Sequence, residues 1–345
     1  MDLLKRLTET SGVSGREERV RALIEKETRG LFSDTRTDAM GNLICHRQPD
    51  RRAGRGAGRK IMLACHIDEI GFYVKYIDDK GFLRLNPAGG FDTRNLFARR
   101  VLVQGKKDLV GVLNPAGRPL HIATEEEKKK TYKVGEFFVD LFLPVEQVKK
   151  LVTVGNPVTL IQTTEVVGDA VTGKCMDNRV ASYVAIEAIR RAIKGRGTAN
   201  EIYYVATVQE EVGCRGAGPA AFGIEPDVAL AIDTTLCCDT PGIPADEAVS
   251  SFGSGAAIKI MDGNSISDRS LVDEFIALAK AKRIKYQLEI LPLGGTDAGP
   301  VQRTRTGYKT ATLSVPTRYI HTVTETVHKD DLEASINLLA AFLAK

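Results

Sequence analysis

Hydrophobic and polar positions alternate along this chain in two textures. Ile61–Cys65, Ile202–Val208, Val228–Ile232 and Ala311–Val315 are near-continuous runs of aliphatic, aromatic and small residues. Such runs suit strands covered on both faces, as in a parallel sheet between helix layers. Between them the apolar positions recur at helical spacing. Leu3, Leu4 and Leu7 predict a short amphipathic helix. Ser14-Gly-Arg-Glu17 has the form of a capping box, followed by Val20, Leu23, Ile24 and Leu31. Val180, Tyr183, Val184, Ala188 and Ile189 mark one face of a helix over Arg179–Lys194, with a stop at Gly195. Two more helices are predicted over Ser270–Ala281 and Leu332–Leu343, and Met40–His46 reads as a strand after a turn.

The middle of the chain differs. From Gly71 to Thr164, short runs broken by turns predict strands at Phe72–Ile77, Phe82–Leu85, Val101–Gln104, Val110–Leu113, Phe137–Leu141 and Pro157–Gln162. Pro144 starts a short helix there, and the polar stretch Thr124–Lys130 reads as an exposed loop. Strands this closely spaced predict a small β-barrel-like unit. The expected architecture is therefore α/β: a mixed sheet flanked by helices, built from residues 1–69 and 166–345, with a β-rich insertion at 70–165.

Composition narrows the function classes. The 345 residues are 43% hydrophobic and 27% charged, with a net charge of +4, as in an ordinary water-soluble protein. That mild charge implies neither a nucleic-acid nor a membrane partner. No apolar run is long enough to span a bilayer, and the N-terminal residues lack a secretory h-region. Six cysteines show no CxxC spacing, which fits a reducing compartment, with the cytoplasm as the expected location. Arg51–Lys60 is basic and glycine-rich but lacks the GK[ST] of a phosphate loop. It reads as a flexible surface loop, with contact to nucleic acid as the minor alternative.

The chemistry gathers where the apolar runs end. Ile61–Cys65 leads into His66 and Asp68, Ile202–Val208 into Glu210 and Glu211, Val228–Ile232 into Asp233, and Ala311–Val315 shortly to His321. In open α/β sheets, ligands bind outside the carboxyl ends of the strands. Asp177 precedes the helix beginning near Arg179. Singly, each residue has an ordinary alternative: a core histidine, a helix-dipole partner, a solvated turn. Together, His66, Asp177, Glu211, Asp233 and His321 offer imidazole and carboxylate donors suited to zinc, cobalt or manganese. Five ligands exceed one tetrahedral ion but suit two divalent ions sharing a carboxylate, and three carboxylates plus one hydroxide balance their charge. Such a pair can bring the pKa of a bound water from near 16 to about 7.

Over almost its whole length the chain resembles metallopeptidase family 42, the di-metal aminopeptidases of the glutamyl and tetrahedral types. The resemblance is carried by Cys65-His-Ile-Asp-Glu-Ile-Gly71, Met176-Asp-Asn-Arg179, Gln209-Glu-Glu-Val-Gly213, Asp233-Thr234, Gly294-Gly-Thr-Asp-Ala-Gly299 and Pro316-Thr-Arg-Tyr-Ile-His321. It implies a zinc-peptidase-like catalytic domain in which His66 and Asp233 serve one metal, Glu211 and His321 the other, and Asp177 bridges. Glu210 would be the general base and Asp68 would orient His66. It also implies dimerisation through the insertion, and dimers assembling into a tetrahedral dodecamer. The expected substrates are short peptides with a free N-terminus, and the expected reaction is removal of their N-terminal residues. The rivals are another di-metal hydrolase (deacylase, carboxypeptidase or endoglucanase-labelled relative) and a nucleic-acid-binding module using the Arg51–Lys60 loop. Cys65, Cys175, Cys214 and Cys237 lie near the proposed ligands. They read as small buried packing residues, with sensitivity to oxidation or soft metals as the alternative.

Overall fold

Burial on both faces determines where the long apolar runs go. In the computed structural model, which describes residues 1–50, 58–194 and 197–345, they form the parallel centre of one large mixed sheet. β1 (Asp34–Thr37), β2 (Leu43–Arg47) and β3 (Lys60–His66) come first. A barrel follows, made of β4 (Gly71–Ile77), β5 (Leu83–Ala88), β6 (Arg99–Gln104), β7 (Asp108–Pro115), β8 (Phe137–Asp140) and β9 (Pro157–Leu160). The large sheet resumes with β10 (Glu165–Val167), β11 (Ala170–Gly173), β12 (Glu201–Thr207) and β13 (Val228–Leu236). It is completed by β14 (Ala256–Met261), β15 (Tyr286–Ile290), β16 (Lys309–Arg318) and β17 (Glu325–His328).

The strand order is β1-β2-β12-β3-β13-β16-β17-β11-β10, with β14 also on β16 and β15 outside β14. β12, β3, β13 and β16 run parallel to one another, so their carboxyl ends emerge at one edge. In register, Thr207 stands beside His66 and Asp233 beside Ser314.

Period-two alternation divides the strand side chains between two layers. Ile61, Leu63 and Cys65 join the larger core with the helices Met176–Lys194 and Lys329–Leu343. Met62 and Ala64 face the other way, onto Ala217, Ala220 and Ala221 of the helix Ala217–Ile224. Each fully buried Leu, Ile or Val contributes roughly 1.5–3 kcal/mol relative to exposure, which makes these strands a rigid platform.

The insertion closes as a six-stranded barrel in the order β4-β5-β8-β7-β6-β9. Its core holds Phe72, Leu83, Leu85, Val101, Leu113, Phe137 and Val158. Closure leaves no unpaired sheet edge.

Two expectations need correction. Ser14–Glu17 is not a capping box: the helix Glu18–Glu27 has Glu17 at its N-cap with no side-chain bond to the helix's first N–H groups, and Leu31 lies beyond its end. The Ser14 hydroxyl instead donates to Asp68 at 2.6 Å. Thr124–Lys130 contains a one-turn helix, Glu125–Lys128, closed by a capping box between Thr124 and Glu127. It is polar all round, so it gives no hydrophobic period. The expected helix stop at Gly195 and the loop residues 51–57 lie outside the described residues. At the end of that basic stretch, Arg59 makes a two-pronged bond to Glu274 at 2.9 and 3.0 Å.

Candidate metal centre

Every residue singled out at a strand end arrives at the same edge, and Asp177 joins them. His66 is the last residue of β3 and is buried. Its Nε2 lies 3.1 Å from Asp177 Oδ1, 3.8 Å from Asp233 Oδ1 and 3.9 Å from Glu210 Oε2. On the far side of Asp177, His321 Nε2 lies 3.8 Å from Asp177 Oδ2 and 3.3 Å from Glu211 Oε2. The two oxygens of Asp177 thus face different imidazoles. His66, Asp177 and Glu211 can each offer a ligand atom within 4.8 Å of one another.

The supporting backbone is unusual around these groups. Gln209 (φ 57°), Cys214 (φ 50°), Cys175 (φ 57°) and His321 (φ 64°) adopt the left-handed conformation that side chains other than glycine rarely take. Such strain persists where the surroundings enforce it. Here a buried Asn42 does part of the enforcing: its Oδ1 accepts the Val208 N–H at 3.0 Å and its Nδ2 donates to the Gly216 carbonyl at 3.0 Å. The loop between those residues carries Glu210 and Glu211. Asp68 holds it from below, accepting the N–H groups of Glu210 at 3.0 Å and Glu211 at 3.1 Å. Asp68 Oδ1 also lies 3.4 Å from His66 Nδ1, a long contact that still faces the imidazole.

Electrostatics suits this cluster to a cation. Burial, joined by the charge of Asp177, pushes the Asp233 carboxyl well above the usual range. Burial does the same to Glu210, with Asp233, Asp297 and Glu211 adding to it against His66. Glu211 is raised too, by burial and then Asp177. Burial opposes protonation of His321, yet Glu211 and Asp177 prevail and lift it to about 10. The oxygen Glu211 Oε1 is buried without a hydrogen-bond partner. Crowded carboxylates, two imidazoles and an orphaned oxygen fit divalent metal, which would relieve the repulsion and supply the missing contact.

The centre opens into a cavity of about 670 Å³ lined by Leu236, Leu293, Gly294, Gly295, Thr296 and Ile320, among others. The Gly294–Gly299 segment, which in sequence reads equally as a tight turn, therefore walls the site. Its Asp297 is buried and accepts from the Thr207 hydroxyl, and burial raises its carboxyl to about 6. Lys259, unremarked in the sequence, also lines the cavity, 3.5 Å from Glu289 and 3.7 Å from Asp262.

Cys65, Cys175 and Cys237 are buried, and burial raises all three thiols, but only Cys65 among them is a plain packing residue: Cys175 donates to Glu69 Oε2 at 2.7 Å and Cys237 to Asp239 Oδ1 at 3.3 Å. Cys214 departs from that reading: half-buried, it lines the cavity and its Sγ–H donates to Glu210 Oε1 at 3.1 Å.

Comparison with known proteins places the chain among peptidases. The family model described as M42 glutamyl aminopeptidase matches residues 41–338. An aminopeptidase from the archaeon Desulfurococcus kamchatkensis is 35% identical and superposes with a TM-score of 0.92, covering 100% of this chain and 94% of that one. The lysyl aminopeptidase of Pyrococcus furiosus is 31% identical, over 99% of this chain and 96% of its own. The TET1 peptidase of Pyrococcus horikoshii is 31% identical with a TM-score of 0.85, covering 99% of this chain and 98% of that one. It assembles into a tetrahedron or a large octahedral shell.

Proposed function

This chain belongs to the M42 glutamyl aminopeptidase family and is an aminopeptidase, and on that premise we propose a centre of two divalent metal ions. His66 and Asp233 hold one ion, Glu211 and His321 the other, and Asp177 is shared. The observation that carries this reading is the pair of Asp177 oxygens, one 3.1 Å from His66 and the other 3.8 Å from His321. When bound, the ions lower the pKa of a coordinated water and polarise the scissile carbonyl. Zinc, cobalt and manganese all suit these donors.

The chain's own residues supply the proton handling. Glu210 is the general base: it accepts a proton from the attacking water and returns it to the leaving nitrogen. Its Oε2 lies 3.9 Å from His66 Nε2, beside the proposed ions. Asp68 acts through others, tying the Glu210 and Glu211 amides and facing His66. The substrates are short peptides with a free N-terminus.

The segments 1–69 and 166–345 form the catalytic domain in this reading, and 70–165 mediates dimerisation. Dimers build a tetrahedral dodecamer, supported by the assembly of the horikoshii relative. The working location is the cytoplasm; among the described residues no helix is long and apolar enough to cross a membrane.

Elemental analysis after loading and washing tests the centre, with two ions per chain expected and fewer than two contradicting it. Glu210→Gln should keep both ions while kcat falls by at least about 100-fold, the lower range for losing a positioned base. Near-normal turnover would remove Glu210 from the mechanism.

A further inference from the structure

One buried carboxylate has no part in the scheme so far. Glu325 opens β17, four residues after His321, and is 2% exposed. Its Oε2 accepts the backbone N–H of Asp177 at 2.9 Å, and its Oε1 accepts that of His321 at 2.8 Å. A single side chain therefore joins the main chain of two proposed ligands contributed by remote parts of the sequence. β17 pairs with β11 and β16, so Glu325 stands where the turn into the helix Met176–Lys194 meets the loop that follows β16. Lys174, in the same wall, is committed to Glu69 at 2.6 Å.

We propose that Glu325 is a positioning residue that sets the separation of Asp177 and His321, and through it the affinity for the ion held by Glu211 and His321. The proposal rests on the two-ion reading above. Only a carboxylate serves here. It has two acceptor oxygens for the two converging N–H groups. Glutamine has one acceptor oxygen and would aim its NH2 at the remaining N–H. Aspartate is a methylene short of spanning both.

The two ion sites depend on this clamp unequally. His66 and Asp233 sit within β3 and β13, His66 paired with Thr207 of β12 and Asp233 with Ser314 of β16. Asp177 keeps a second tie, its 3.1 Å bond with His66. His321 lies in a loop outside any strand, at φ 64°, with its side chain 36% exposed. Releasing the clamp therefore loosens His321 first.

The experiment titrates metal-free protein with Zn²⁺ against a chromophoric chelator, comparing the parent with Glu325→Gln and Glu325→Asp. Partners of metal ligands typically affect affinity 10–100-fold, so one of the two binding steps should lose about that factor in both variants, while the other moves by less than about threefold. Equal losses at both steps, no loss at either, or parent-like binding by Glu325→Asp would overturn the proposal. The parent titration separates the two claims: fewer than two ions there refutes the two-ion reading, whereas two parental steps shifted equally in the variants refute the clamp alone. Amide exchange in the metal-free parent needs no variant to fold. The Asp177 and His321 N–H groups should both be protected, and free exchange at either would overturn the clamp.

Discussion

At the scale of single residues, the centre shows which side chains a sequence can and cannot disclose. His66, Asp233 and the Glu210–Glu211 pair were legible because each follows an apolar run, where a polar residue signals the sheet's edge. Glu325 is not, since its alternation with Val323 and Val327 marks the buried face of a strand without showing what the carboxylate would bind there. Asn42 and Lys259 were missed because their burial depends on elements distant in sequence. Glu17 shows what burial does to a carboxyl that should read as a helix-start charge. It accepts N–H groups from Gly15 and Gln209, yet burial raises it to about 7 from its ordinary 4.5. The folded protein then binds this proton more tightly than the unfolded chain. Its stabilising contribution is complete below about pH 4.5 and is lost as the pH rises through about 7, to a limit near 3 kcal/mol. Glu17→Gln should abolish that pH dependence. Urea unfolding of both proteins at about pH 5 and 8 measures it, and parallel losses at the higher pH would remove Glu17 as the source.

At the scale of elements, the long helices and parallel strands follow from their apolar period, whereas closure of the barrel does not. Phe72–Ile77 and Val101–Gln104 can be recognised as strands, but their shared contact with β9 is a non-local pairing that no single run encodes. The helix Glu125–Lys128 escaped notice for want of any apolar face. The loop carrying Glu210 and Glu211 makes a sharper test of local design. A Cβ added at Gly216 would come within 2.4 Å of Asn42 Oδ1 and 2.6 Å of the Val208 carbonyl. Gly216→Ala must push apart the contacts that brace this loop. A destabilisation of about 1–3 kcal/mol is expected, as for overpacking elsewhere, together with at least a tenfold loss of kcat. Unchanged denaturation and turnover would mean that the loop tolerates the displacement.

For the molecule as a whole, the concentrated negative charge at the sheet edge should, on the two-ion reading, couple folding to metal. Stripping cations leaves Asp177, Glu210, Glu211 and Asp233 facing one another in a buried space, so the metal-free chain should be the less stable form. An ion present at 100 times its Kd stabilises by about 2.7 kcal/mol, enough to move a thermal midpoint by several degrees. Calorimetry with and without chelator reads this directly, and identical midpoints would mean that the centre contributes nothing to folding.

The order of the ligands along the chain has one more effect. The centre draws on positions from 66 to 321, and the last arrives just before the closing helix Lys329–Leu343. On the two-ion reading, any fragment that stops short of His321 lacks a complete centre and should hydrolyse no peptide, however much of the sheet it has formed.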